Sequence, residues 1–592
     1  MFFACFVIID KLDSQASEMK NELETTSNAA ANDYFERFVR PLLNAHCLEC
    51  HSAQSDSPGG NLRLDDATGW QTGGDLGPAI IPGNAADSLF MQAIRYSHAT
   101  IQMPPEGRLA ESDIKILERW ITDGAFDPRD ASAPPAPTRK LDLQEGRSHW
   151  AFQPIPAVSI PEIDSRGAQW SLNPIDRFIW TGYQQHQLTP VPAAKRVDLL
   201  RRAAIDLTGL PPSYDEVQQF LQDHRPDAWE RQVDRLLASP QYGQRWGRHW
   251  LDLARYADSN GMDENIAHGN AWRYRDYIVQ SFNDDKPFDQ LTIEQIAGDQ
   301  LPPTDDEAAR IARITATGYL TIGPKVLAEV DKTKMEMDII DEQIDTLGRT
   351  FMAMTFGCAR CHDHKFDPIR TADYYAMAGV FKSTKTMEDF KTIAKWNETS
   401  IATAQQMAEH AAATALLEQA KQAVQHLINE ANAALLASKE TGATLPENPE
   451  AEYPPETLAK LNTLREQQKQ AEAALPELPT AMAVVDYPQA TNLPIHIRGN
   501  HLTLGDEIPR GLPAVFFNSL ELQPIEHERS GREDLARWLV DGSNPLTPRV
   551  LVNRLWLWHF GRGIVNTPDN FGLTGELPTN GPLLDWLANE LV

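Results

Sequence analysis

Long apolar runs are missing from this 592-residue chain. No stretch approaches the roughly 20 residues that cross a bilayer as a helix, so no membrane-spanning segment is expected. Cysteine is scarce: there are five, and apart from Cys5 they stand only as Cys-x-x-Cys pairs. A disulfide framework scatters its cysteines along the chain, so a small secreted disulfide scaffold is excluded. Positive charge is short too, with 54 Lys and Arg against 83 Asp and Glu and a formal charge of −29. A polyanion gains nothing by releasing counterions from a phosphate backbone, and a nucleic-acid partner is not expected. The acidity suits solubility, and equally the docking of a basic redox partner. Alternating strand patterns are sparse and no repeat of solenoid length recurs, which leaves a mainly α, multidomain chain.

What is present divides the chain into segments. Residues 1–32 open with "MFFACFVIID", a short apolar core with no Lys or Arg before it, and read as a leader or incomplete export signal. Residues 33–130 begin with the helix pattern of "DYFERFVRPLL" and reach "HCLECH". They then pass a loop rich in Gly and Asp and close on the amphipathic "SDIKILERWITDGA". A Pro- and Ala-rich linker covers 131–147. Residues 148–390 form a larger helical unit containing "RWGRHWLDLARYADS" and the second cysteine pair. From 399 to 475 Ala, Gln, Glu and Leu dominate, the pattern of an antiparallel helical hairpin. Residues 480–592 start with β character in "TAMAVVDYPQATNLPIHIRGN", the source of a small β segment, and return to helix in "REDLARWLVD" and "VLVNRLWLWHFGRG". The last stretch, "GPLLDWLANELV", reads as part of a helical domain cut short.

Both cysteine pairs are followed at once by histidine: Cys47, Cys50 and His51 in "CLECH", and Cys358, Cys361 and His362 in "CARCH". Covalent haem attachment needs this spacing. Two thiols must meet the two vinyl groups, and the next residue must reach the iron from the same side. A redox dithiol has no use for the histidine. A four-ligand zinc site would need the two pairs to meet from distant parts of the chain. Haem c is expected at the first pair; at the second, haem c, another metal and a structural role stay open. Met103 is the expected sixth ligand of the first site. Pro104 and Pro105 fix the backbone beside it, and a thioether opposite histidine raises the reduction potential above that of paired histidines. Met91, in the apolar stripe of "SLFMQAI", reads as core.

Around the second pair the sixth ligand is not legible. His249, between Trp246 and Trp250 on an aromatic helix, is a candidate, as are Met262, His268, Met335, Met337, Met352 and Met354. His364 follows His362 too closely to turn back to the opposite iron face, so a surface position or ligation of another metal fits it. Asp363 and Asp367 read as capping and turn residues ahead of Pro368, with acid–base carboxylates as the competing role.

These stretches carry a resemblance. Residues 34–129, with "HCLECH", "PGN", "MPP" and "ILERWITDGA", resemble the planctomycete-type cytochrome c domain. Residues 148–388 resemble the domain found beside such cytochromes, through "NPIDRFI", "LLRRAAIDLTGLPP", "AWRYRDYIVQSFNDDKPFDQLTIEQIAGD" and "CARCHDHKFDPI". Residues 498–592 resemble the opening of a third associated domain, through "RGN", "LARWLVDGSNPLTPRVLVNRLWLWHFGRGIV" and "TPDNFG". The resemblance implies an extracytoplasmic, periplasmic or secreted c-type cytochrome whose substrate is unassigned. It implies haem and electron transfer to an unnamed redox partner. Cys47, Cys50, His51 and Met103 would hold one haem c, and Cys358, Cys361 and His362 a second. Two departures stand out: "GPKVLAEVDKTKMEMD" replaces a segment often rich in Glu and Gly, and Asn580 stands where a histidine is usual. A competing function is a metal-dependent hydrolase or lyase of extracellular polysaccharide with an accessory cytochrome domain. There "CARCHDHKFDP" would bind zinc or calcium and tryptophans would stack on sugar. A non-catalytic scaffold built on the hairpin is the third reading.

Overall fold

Five two-stranded pairs are the only sheets among the described residues of the computed structural model, and 54% of the chain is helical. The protein is mainly α and multidomain, as the scarcity of alternating patterns predicts. The structure describes residues 31–48, 50–52, 58–98, 101–105, 107–129, 141–262, 264–391, 393–439, 444–525 and 528–591. The leader up to residue 30, with Cys5, and the linker up to residue 140 lie outside the described residues. The chain divides between Lys140 and Leu141 into two compact units.

In the first unit Phe35, Val39 and Leu43 recur every four positions. They make one apolar stripe along the helical run Phe35–Val39 and its continuation, α1 (Arg40–His46). That stripe shares a core with α2 (Leu89–Ile94) and α3 (Glu111–Thr122), whose Ile114, Leu117, Trp120 and Ile121 are buried at helical spacing. Trp120 stands 5.7 Å from Phe35 and 6.1 Å from Trp70. Both indoles find acceptors, Trp120 on the Phe126 carbonyl and Trp70 on Asp127. Gly124, at φ +107, ends α3 in a conformation that glycine adopts without strain.

The second unit has a contiguous core running from Ala151 to Ala588. Near its middle α4 (Pro240–Leu253) packs on α5 (Ala271–Asn283). Gly243 permits the close approach, since a Cβ there would lie 2.2 Å from the Val279 carbonyl oxygen. The helices α6 (Lys332–Leu347) and α7 (Thr371–Lys382) frame the second cysteine pair. The strands act as clasps. β1 (Glu398–Ser400) pairs antiparallel with β2 (Thr480–Met482), and between them run α8 (Ala404–Ala437) and α9 (Pro455–Ala473). This arm leaves and re-enters at one paired point, with its own small core of Val424, Tyr453 and Leu461. The segment predicted as linker carries a helix at its end, Leu143–Arg147. Asp142 caps it, and Arg147 donates to the Phe517 carbonyl at 3.1 Å, so a cap and a distant contact hold this end of the segment, where neither Pro nor Ala stands.

Four arginines of the C-terminal segment are buried: Arg510, Arg532, Arg549 and Arg554. Arg532 begins α10 (Arg532–Leu539). Its two terminal nitrogens meet Asp299 at 2.7 and 2.8 Å, and its other edge meets Asp486 at 2.7 and 3.1 Å. Burial works against the charge, but the two carboxylates outweigh it and raise the pKa. Arg549 and Arg554 on α11 (Leu546–Phe560) meet Asp585 at 2.7 Å and Asp569 at 2.9 Å, and also reach the carbonyls of Gln153 and Arg349. Among the described residues no helix is long and apolar enough to cross a membrane.

Two outcomes follow. Arg532→Ala leaves two carboxylates facing each other without their cation. Because both keep some contact with solvent, the cost is expected at the low end of the buried-pair range, about 3 kcal/mol, read from urea unfolding of the full chain. A change below about 1 kcal/mol would show that the shared guanidinium is not what joins these segments. The second outcome concerns pH. His149, His249, His268, His364 and His496 are all shifted downward, in each case chiefly by burial. The unfolded chain therefore takes up protons near pH 6.5 that the folded chain refuses. Their stabilising contribution is complete above that value and is lost as pH falls below it. The urea midpoint of the second unit should drop between about pH 7.5 and about pH 5; a flat or rising midpoint contradicts this.

Candidate functional site

The first motif sits where α1 ends. Cys47 caps the helix, its N–H donating to the Leu43 carbonyl at 2.9 Å, and the chain then turns so that the His51 N–H donates to the Cys47 carbonyl at 3.0 Å. The turn brings Cys47, Cys50 and His51 onto the wall of one cavity of about 1270 Å³. That exceeds the roughly 300–1,000 Å³ typical of small-ligand pockets and suits a macrocycle. The His51 Nδ1 lies 3.1 Å from the Leu62 carbonyl oxygen. With its proton donated there, Nε2 carries the free lone pair, the arrangement found in metal-ligating histidines. Gly59 passes so close that a Cβ would lie 3.2 Å from the His51 ring.

Met103 lines the same cavity, with Pro104 and Pro105 beside it, and its N–H donates to the Ala93 carbonyl at 3.2 Å. Leu62, Leu64, Phe90 and Leu109 supply apolar wall. Met91 is buried in the core instead. Burial pushes the Cys47 thiol up to about 12, while Cys50 is exposed. Two thiols, an oriented imidazole and a thioether around one large apolar cavity fit haem c.

At the second motif a short turn, Gly357–Arg360, presents Cys358, Cys361 and His362 at the surface. The His362 ring nitrogen Nδ1 lies 2.7 Å from the carbonyl of its own neighbour, Asp363, which again leaves Nε2 free. Arg360 pairs with Asp338 at 2.8 Å, and Tyr375 donates to the Arg360 carbonyl at 3.0 Å. The backbone of Gly499, at φ +77, presses on Cys361, where an added Cβ would come within 2.6 Å of the sulfur. Burial raises the Cys361 thiol. The donors for attachment are present and reachable.

The neighbouring candidates have structural partners. His364 is buried, whereas its position in the sequence suggests a surface residue. Its Nδ1 accepts from the Asp367 N–H at 2.8 Å, and Asp367 in turn accepts from the Leu573 N–H at 2.7 Å. Asp363 accepts from the Thr371 N–H at 2.9 Å at the start of α7. His249 stacks on Trp558, with ring centres 4.8 Å apart and planes within 12°. Met337, Met352 and Met354 lie in the main core, Met335 in a satellite cluster, and His268 is buried with Nδ1 3.3 Å from the Ala257 carbonyl. Met262 is exposed. Among the described residues no group of three or more His, Cys, Asp or Glu is arranged to hold a metal ion, which gives the hydrolase reading no support. Residue patterns alone do not reveal Leu62, which acts through its carbonyl, although the adjacent "PGGN" marks a close backbone approach.

Comparison with known families gives three matches. Residues 47–107 match Planctomycete cytochrome C, residues 174–386 match Protein of unknown function (DUF1549), and residues 531–592 match Protein of unknown function (DUF1553). No curated protein and no solved structure matches the chain. The first match implies covalently bound haem c, in agreement with the cavity at Cys47, Cys50 and His51. Residues 47–107 are thus similar to planctomycete cytochrome c, and the two stretches similar to families of unknown function follow in the same chain.

Proposed function

We propose that this protein is an extracytoplasmic c-type cytochrome that passes single electrons, and that Cys47, Cys50, His51 and Met103 would hold its haem. The observation that carries the proposal is the bond from the His51 ring to the Leu62 carbonyl, which leaves Nε2 free beside a cavity that Met103 also lines. Bound there, the haem supplies one-electron iron chemistry. The chain's own residues do the rest. Cys47 and Cys50 anchor through thioether bonds. The Leu62 carbonyl holds the His51 proton, fixes the tautomer and strengthens the ligating nitrogen. The Met103 thioether favours the reduced state more than a second histidine would. Leu62, Leu64, Phe90 and Leu109 exclude water and lower the local dielectric, which tunes the potential.

Cys358, Cys361 and His362 hold a second haem in this reading, supported by two accessible thiols and an imidazole with Nε2 free. Residues 33–130 then act as the electron relay and 148–390 as the second redox module. The arm 399–475 and the segment 480–592 offer docking or substrate surface. A formal charge of −29 suits a redox partner with a basic contact face.

Protein exported through a haem-maturation system should carry two haems per chain by pyridine haemochrome and iron content. Replacing Cys358 and Cys361 together by Ser should halve that content. Met103→Leu should lower the potential of the remaining haem and abolish its thioether-to-iron absorption. One haem in the parent protein confines the proposal to the first unit, and an intact mass equal to the bare polypeptide removes it.

A further inference from the structure

We propose that Tyr96 is a positioning residue that sets the Met103 sulfur over the iron, an inference that rests on the reading of Met103 as ligand. Met103 lies in the irregular stretch 101–105, where no helix or strand ladder holds its backbone. Its side chain is unbranched and flexible. The sulfur can therefore be held at a fixed point only if the backbone around Met103 is pinned.

The clamp is local. The Ala93 carbonyl, at the end of α2, accepts from both the Tyr96 N–H at 3.1 Å and the Met103 N–H at 3.2 Å. The Tyr96 hydroxyl then donates to the carbonyl of Pro104, the residue after Met103. One acceptor gathers the two strands of the loop, and the phenol ties the far side. Tyr96 reaches this position because it leaves α2 at φ +59, a left-handed conformation that costs a non-glycine residue on the order of 1 kcal/mol. The helix behind it is firm: Phe90, Met91 and Ile94 are buried, and Arg95 pairs with Glu118 of α3 at 2.6 Å. Tyr96 is not a wall residue of the cavity, so it acts on the sulfur through Pro104 and the backbone.

The test uses full-length exported holoprotein and two conservative variants, Tyr96→Phe and Tyr34→Phe. Tyr34 is the control. Its hydroxyl also donates to a backbone carbonyl of the same unit, that of Ile116 at 3.2 Å, but away from the Met103 loop. A general loss of stability would appear in both variants; a displaced sulfur would appear in one. Three quantities are read: haem per chain, the thioether-to-iron absorption of the ferric protein, and the dissociation constant of added imidazole, which competes for the sulfur's position. For Tyr96→Phe we expect unchanged haem content, weaker thioether absorption and imidazole binding about fivefold tighter, the factor one lost hydrogen bond supplies. Tyr34→Phe should match the parent protein in all three. Equal imidazole affinity and absorption in all proteins, equal shifts in both variants, or loss of haem from Tyr96→Phe alone would each overturn the role. If the parent protein itself shows no thioether absorption, the ligand reading of Met103 fails first, and that result is distinct from the others.

Discussion

A guanidinium with no access to water, shared between two carboxylates, ties three distant segments of the second unit together. Arg532 uses Nε and both terminal nitrogens on Asp299 and Asp486, and adds the Ile296 carbonyl at 3.0 Å. Removing an ion from water costs several kcal/mol, and the loss is offset only when every donor is satisfied. Lysine could not reproduce this, because a single ammonium cannot present a planar fork to two acids. Asp299 belongs to the stretch matched by DUF1549, Arg532 to the stretch matched by DUF1553, and Asp486 lies between them. The two families therefore meet at one ion cluster and share one core. Whatever chemistry the second unit carries has to be sought in the two together.

The first unit follows another rule. Its helices supply a rigid base of Phe35, Trp70 and Trp120, while the groups that would touch haem come from a helix end and loops. Loops can bring a carbonyl, a glycine and a sulfur to one place because their backbone is not committed to a ladder of hydrogen bonds. Such a site is only as well defined as the bonds that pin it. Here these are the His51–Leu62 contact, the doubly used Ala93 carbonyl and the Tyr96 hydroxyl.

Much of this could be read from residue order. The two Cys-x-x-Cys-His groups, Met103 ahead of two prolines, the apolar stripe of α3, the hairpin arm and the β character after residue 480 are all local signals. Local signals survive because they depend on spacing along the chain. What escaped depends on partners far away. His364 looks like a surface residue until Asp367 is seen bonded to Leu573. The sequence offers no signal that Arg549 and Arg554 are buried, because their carbonyl partners lie hundreds of residues upstream. Tyr96 continues the apolar pattern of α2, so its departure from the helix at positive φ is invisible in the sequence. Leu62 contributes a carbonyl, which every residue has.

The same pentapeptide spacing occurs twice, and its surroundings differ in a way that separates donors from site. At the first motif His51 bonds to a carbonyl eleven residues on, and Gly59 lies against its ring. A large cavity opens beside it. After Cys361 the chain is already in use. Asp363 caps α7, His364 and Asp367 hold the loop at Leu573, and Pro368 packs on Gly146, where a Cβ would lie 2.4 Å away. His362 can only bond to the carbonyl beside it. The motif therefore specifies two sulfurs and an imidazole in both places. What differs is the company those donors keep: a large cavity at the first motif, and a following loop already committed to other contacts at the second.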